Sequence, residues 1–407
     1  MTGFPGRPSL NNTHVLPKYT NNSLDVSLRM LHLKLDHTIT GMSGWMALLG
    51  RPLIHCGRTS SSQLRHASRL VFQSHGAPSQ VLKYESFPTP VEPSDPQNVL
   101  VRMLMAPIHP ADINTIQGAY PITPDLPAVG GGEGLGVVVM AGGAVTHLAP
   151  GDWVIPAGNM TGTWTTHTQG PAEAFVKIRK DIPEIAAATL RTNPSTAYRM
   201  LKDFVQLGPD DWVIQNGANS AVGQAVIQIA KHWKLHTVNI VRARDNIDAL
   251  KHQLQNLGAD FVLTEEEFRK WTEIREGRLP KPRLALNCVG GSSATELSKC
   301  LSNSAVMVTY GGMSLKPVTV ATSGLIFKDI AIRGFWLSRW LSEHANGDER
   351  IKMFSELAGM CKDGVLTAPV HQTVSLKDFK ASVDNTLKGF KGGKFIFDMT
   401  KEKQNGA

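Results

Sequence analysis

Arg242 and Arg244 close a stretch, Asp211 to Arg244, whose residue types suit one kind of ligand. Two guanidiniums present forked donors that match a phosphate. About twenty residues earlier lies the turn Gly217, Ala218, Asn219, Ser220, Ala221, Val222, Gly223, where backbone N–H groups and a helix start can meet a pyrophosphate. The dinucleotide fingerprint expects an acid where the arginines stand, to hold ribose hydroxyls. A carboxylate would repel a 2′-phosphate, whereas two guanidiniums attract it. Asn219, Ser220, Ala221, Val222, Gly223, Arg242, Ala243 and Arg244 are therefore expected to bind NADPH, with a solvated basic loop as the bland alternative. Ala221 replaces the glycine usual at that point, which is tolerable if the backbone keeps a negative φ.

The elements that position these residues are legible around them. Trp212, Val213 and Ile214 form an apolar run, the glycine turn follows, then a helical pattern, then a second apolar run from Thr237 to Val241. Strand, tight turn, helix and strand make the βαβ unit of a Rossmann sheet. Upstream, short strands bounded by Gly and Pro are expected at Val81–Glu85, Val99–Met105, Gly136–Met140, Trp153–Pro156 and Ala174–Ile178, the pattern of a partly open β-barrel or sandwich. Strand-like runs at Ala305–Thr309 and Ile330–Arg333 precede further candidate ligand loops.

Length and composition set limits. The chain has 407 residues, enough for two domains and a tail, and 42% of them are hydrophobic. No apolar run reaches the ~18–20 residues of a membrane span. The net charge is +8, but residues 1–84 hold nine Lys/Arg against Asp25 and Asp36. The body is thus close to neutral, which disfavours nucleic acid as a partner. The stretch from His37 to Tyr84 has no acid and recurring Arg and Ser, the composition of a mitochondrial presequence, with a basic tail as the alternative. Residues 1–41 carry acids, so Met42 is a possible alternative start. Cys56, Cys288, Cys300 and Cys361 form no CxxC pair and leave the stretch between 57 and 287 without cysteine. That argues against a disulfide framework and against a Cys-built zinc site there.

Two segments, PIHPADINTIQGAY (Pro107–Tyr120) and GGGEGLGVVV (Gly130–Val139), followed by PGDWV at Pro150, resemble the medium-chain dehydrogenase/reductase family. Its zinc enzymes place a metal-binding His just before the Glu of this second motif. Here that position is Gly132, and the catalytic Cys is missing, so no metal is expected. APIHPADINTIQG, GDWVIPA, GTW, TNPSTAYRML, VIQN, VGQAVIQIA, RLALNCVGG, TYGGM and LIFKDIAIRGFWLS are similar to the mitochondrial 2-enoyl thioester reductases of the zinc-free branch. The resemblance implies an α/β protein with a GroES-like, partly open β-barrel catalytic domain (76–200 and 346–407) and a Rossmann doubly wound parallel-sheet NADPH domain (201–345), after an N-terminal extension and presequence (1–75).

It also implies NADPH-dependent reduction of 2-enoyl thioesters, carried by coenzyme A or acyl carrier protein, in the mitochondrial matrix, by a homodimer without a membrane span. A zinc-free NADPH:quinone oxidoreductase is the alternative on the same scaffold. Tyr120, in a Gly-x-Tyr setting at the end of its motif, is the implied proton donor. A phenol keeps its proton at neutral pH and can give it to a developing carbanion. A packed turn tyrosine is the bland alternative, and Pro121, where these reductases often have Gly, makes the loop unusual. The implied cofactor contacts are Asn193, then Tyr310, Gly311, Gly312 and Met313, then Phe335, Trp336, Leu337 and Ser338, and finally Lys394.

Overall fold

The computed structural model describes residues 66–159, 161–345, 347–387 and 393–402. The presequence reading, Met42 and Cys56 lie outside them. In chain order the first part runs β1 (His66–Phe72), α1 (Pro78–Val81), β2 (Leu82–Pro88), β3 (Asn98–Pro107), α2 (Pro110–Ile116), β4 (Ala128–Val129) and β5 (Leu135–Ala141). It continues with β6 (Trp153–Pro156), β7 (His167–Pro171), β8 (Phe175–Ile178), α3 (Glu184–Ala188) and α4 (Asn193–Asp203). β3 is the axis of this half. Its apolar residues are buried on both faces, and β5, β7 and β16 (Lys394–Asp398) all pair with it antiparallel. Two register shifts interrupt the pairing of β3 with β5, and the Trp164 ring meets Phe397 edge-on at 5.3 Å.

The second half is a six-stranded parallel sheet in the order β11 (Phe261–Thr264), β10 (His236–Val241), β9 (Trp212–Asn216), β12 (Leu284–Asn287), β13 (Val306–Thr309), β14 (Ala331–Gly334). That order reverses direction between β9 and β12, which creates the crevice where dinucleotides bind in such sheets. α5 (Ala221–His232), α6 (Ile247–Asn256), α7 (Glu265–Lys270) and α8 (Gly291–Lys299) lie among these strands in sequence, and α9 (Thr322–Lys328) precedes β14. α10 (Leu337–Glu343), α11 (Asp348–Lys362), β15 (His371–Val374) and α12 (Phe379–Leu387) then lead to β16. Leu104 and Leu135 from the barrel share one buried cluster with Val213, Val226, Phe354 and Leu357, so a continuous core joins the two halves.

Three expectations need revision. β1 lies inside residues 1–75, the stretch assigned to the extension. An acid-free composition says nothing of pairing: Arg69 finds its carboxylate in β2 (Glu85, 3.4 Å), and Leu70 and Phe72 are fully buried. The expected boundary at 200/201 falls within α4, whose Tyr198, Met200 and Leu201 are core residues. Strands β4, β7, β11, β12, β15 and β16 lie outside the expected strand runs.

Two glycines of the βαβ turn are set by space. A Cβ on Gly223 would stand 2.5 Å from the Ala218 carbonyl, so only glycine lets α5 close on β9. Gly217 has φ +59°, and a Cβ there would lie 2.5 Å from Cys288 Sγ. Gly217→Ala should therefore cost about 1–3 kcal/mol in urea denaturation, from the left-handed backbone and the sulfur contact. Gly143→Ala, whose new Cβ meets nothing within 4 Å, should change it by less than about 0.5 kcal/mol.

Candidate active site and dinucleotide crevice

The glycine turn expected to meet a pyrophosphate leads into the start of α5. Ser220 is its N-cap, and the hydroxyl accepts from the Gly223 N–H at 3.1 Å. Ala221 is the first helical residue and has no positive φ, so its methyl costs the turn nothing. Asn219 gives its carbonyl to Gln224 Nε2 at 2.9 Å. Val222 and Gly223 are buried, so contacts from them run through the backbone. Beyond β10, Arg242 and Ala243 are exposed and Arg244 is half-buried. Among the described residues neither arginine meets a carboxylate, and the Arg244 Nε is buried without a partner. Burial, and then the neighbouring Arg242 charge, hold the Arg244 guanidinium below its ordinary range. An unneutralised positive pair is what a 2′-phosphate would satisfy.

The floor of the crevice is a polar network at the carboxyl ends of the central strands. Asn216 Nδ2 donates to Asn287 Oδ1 (2.8 Å), Asn287 Nδ2 donates to Thr309 Oγ1 (3.1 Å), and the Cys288 N–H donates to Asn216 Oδ1 (2.8 Å). Tyr310 follows β13, its N–H bonded to the Asn287 carbonyl at 3.0 Å. Its hydroxyl is buried next to Cys288, and burial raises it well above the usual phenol range. Gly311 passes so close to Cys288 that a Cβ would lie 3.2 Å from the cysteine Cβ; Gly312 and Met313 are open to solvent.

Two residues distant in sequence, Tyr120 and Trp336, meet across the halves. Tyr120 hangs from the end of α2, its N–H bonded to the Asn114 carbonyl at 3.2 Å. Trp336, the N-cap of α10, donates its indole N–H to the Tyr120 hydroxyl at 2.8 Å, the rings meeting edge-on at 6.1 Å. Phe335 is tied to β13 through the Thr309 carbonyl (3.0 Å), and the Ser338 carbonyl accepts from Asn159 Nδ2 (3.2 Å). Leu337 turns its side chain into the core. Arg191, 5% exposed, donates to the carbonyls of Pro156 and Gly158 and to Asn159 Oδ1 (3.0, 2.6 and 3.0 Å). Asn193 opens α4 with its Oδ1 buried and unpartnered, a carbonyl waiting for a donor. Arg242 and Arg244 follow β10, on the other side of the β9/β12 reversal from Trp336, which follows β14.

Lys394 stands at the start of β16. Its Nζ donates to the Ile108 carbonyl (3.3 Å) and faces His109 Nδ1 (3.1 Å). Burial lowers the ammonium to about 8, partly offset by Glu133 and Asp112. His109 in turn bonds Glu133 through Nε2. This ionic cluster was not foreseen, because a lone His and a lone Glu 24 residues apart leave no local signature.

Comparison with known proteins fixes the family. The family described as "Alcohol dehydrogenase GroES-like domain" matches residues 95–180, and "Zinc-binding dehydrogenase" matches 221–355. The mitochondrial enoyl-(acyl-carrier-protein) reductase of Mus musculus is 51% identical over 350 residues, 84% of this chain and 93% of its own. The chain belongs to the mitochondrial enoyl-(acyl-carrier-protein) reductase family. Two solved structures, the mitochondrial 2-enoyl thioester reductase Etr1p/Etr2p heterodimer from Candida tropicalis and an Etr1p/NADP/crotonyl-CoA complex, are each 34% identical with a TM-score of 0.75. Each covers 82% of this chain and 99% of its own. Gly132 stands at the metal-ligand position, and no group of three His, Cys, Asp or Glu among the described residues could hold an ion. His109 and Glu133 are engaged with each other, and the Lys394 ammonium beside them would oppose a dication.

Proposed function

We propose that this chain reduces the C2=C3 bond of 2-enoyl thioesters, carried by coenzyme A or acyl carrier protein, with NADPH as reductant, in the mitochondrial matrix. One observation carries the reading. An indole N–H can only donate, so Trp336 occupies a lone pair of the Tyr120 oxygen and leaves the tyrosine's own hydrogen free for a substrate. NADPH, when bound, supplies the hydride that reaches C3. Tyr120 gives its proton to C2, where negative charge develops as the hydride arrives. Asn193 Oδ1 and the backbone at Tyr310 to Met313 and Phe335 to Ser338 line the crevice for the dinucleotide, with Lys394 below. The turn from Asn219 to Gly223 takes the pyrophosphate, and Arg242, Ala243 and Arg244 take the 2′-phosphate. No step needs a metal.

We further propose that the working form is a homodimer joined at the β14 edge. β14 pairs only with β13 among the described strands. α9, just before it, buries none of its residues, and Ile326 and Phe327 are 66% and 79% exposed. With Leu325 and Ile332 they form an apolar face beside a free strand edge. A second copy related by a two-fold axis pairs like with like along that edge and covers the same face. The Etr1p/Etr2p relative is itself a dimer.

Full-length protein should oxidise NADPH with crotonyl-CoA and longer 2-enoyl-CoA esters, and not with a quinone. Tyr120→Phe should lower kcat by about 10²–10⁴-fold with NADPH binding, followed by its fluorescence, intact. Unchanged turnover would remove Tyr120 as the acid. Replacing both Arg242 and Arg244 by Ala should raise the NADPH KM by about 10–100-fold, through loss of charge-assisted bonds, with NADH hardly affected. An equal effect on both cofactors would place the phosphate elsewhere. Phe327→Glu, a charge set in the proposed interface, should halve the mass seen by light scattering; a wild-type monomer would sink the dimer.

A further inference from the structure

Glu133 is 1% exposed and uses both carboxylate oxygens on segments that lead to the reaction. Oε1 accepts the Thr192 N–H at 2.6 Å; Oε2 meets His109 Nε2. Thr192 is the N-cap of α4 and immediately precedes Asn193; its carbonyl accepts from Thr196 Oγ1 at 2.7 Å, which stiffens the helix start. His109 is the N-cap of α2, and its own N–H donates to Asp112 Oδ2 at 2.8 Å. Three residues beyond the Gln117 C-cap of that helix stands Tyr120. We infer that Glu133 is a positioning residue: it ties the helix that carries Tyr120 to the helix that opens with Asn193, and so sets the proton donor against the dinucleotide.

The inference rests on the reading of Tyr120 and Asn193 given above. Its geometry is directional. Lys394 donates to His109 Nδ1, so that nitrogen is an acceptor and the ring hydrogen lies on Nε2, pointing at Glu133. Two donors thus converge on one carboxylate from the two sides of the site. Burial opposes ionisation of Glu133, but the His109 hydrogen bond, with the Lys394 and Arg191 charges, outweighs it and holds the carboxyl below the ordinary range. Only an acceptor at both ends fits. A glutamine of the same shape must turn its NH₂ toward one of two donors, so Glu133→Gln breaks one arm of the tie without opening a cavity.

The distinguishing experiment uses the full chain. In Glu133→Gln, kcat at saturating substrates should fall by about 10–100-fold, as expected for a misplaced donor. The isotope effect with NADPH deuterated at the transferred position should rise, because the chemical step then limits turnover. NADPH affinity should stay within about threefold, the pattern of lost transition-state rather than ground-state contact. His109→Leu should reproduce the loss, and His109→Gln, which keeps a donor toward Glu133, should restore most of it. Without cofactor, amide exchange of the segment containing Thr192 and Asn193 should be faster in Glu133→Gln than in wild type. A folded Glu133→Gln protein with wild-type kcat, isotope effect and exchange overturns the inference. So does a loss of equal size in His109→Gln and His109→Leu. A wild-type chain that reduces no enoyl thioester would instead overturn the reading of the site, while faster exchange in the variant would leave the tie standing.

Discussion

The contact between the Trp336 indole and the Tyr120 hydroxyl is where the two halves of the protein meet at the proposed proton donor. It joins residues 216 apart in sequence, one leaving the end of a barrel helix and the other leaving the last strand of the parallel sheet. A single neutral hydrogen bond adds only about 1 kcal/mol net, so it cannot hold the two halves together. The halves must already be in place for it to form. The shared core of Leu104, Leu135, Val213, Val226, Phe354 and Leu357 does that work, and the hydrogen bond then chooses one orientation of the phenol.

A buried cluster of charged groups gathers around His109. Asp112 and Glu133 carry the negative side, Arg191 and Lys394 the positive side, and His109 bridges them. Burial alone would neutralise such groups, and it does push Asp112 up and Lys394 down. Their mutual attraction and hydrogen bonds keep the cluster ordered. Removing one member of a buried ionic set typically costs about 3–5 kcal/mol, so the cluster sets geometry at some risk to stability. That trade suits a reaction whose reductant brings its own hydride and asks the protein for orientation and a proton.

How far the sequence reached depends on whether a feature is local. β9 and β10 are mainly apolar strands buried on both faces, and the turn between β9 and α5 has its glycines where space demands them. The reading of Arg242 and Arg244 as a phosphate site rests on their position and their guanidinium chemistry. Tyr120, Asn193, Trp336 and Lys394 carry no such local pattern and were reached only through motifs shared with a family. Glu133 was noticed for the glycine before it, not for its own bonds, because its partners at 109 and 192 meet only once β3 and β5 are paired and α4 has docked. β1 was hidden by a basic composition, and β12, four buried residues with no alternation, by its brevity.

The apolar face by β14 and Tyr120 belong to one chain of supports. Gly334 ends the edge strand, Phe335 is held by the Thr309 carbonyl and packs edge-on against Phe204 at 5.9 Å, and Trp336 follows at once. A strand paired on one side only is free to fray from its open edge, and any twist at Gly334 passes to the indole one residue past Phe335. Pairing that edge with a second copy would stiffen β14 from the side that α9 leaves bare. On this view the surface that joins two subunits also steadies the donor of the reaction. The interface then needs no contact with substrate to matter for turnover: it acts through the backbone that carries Trp336.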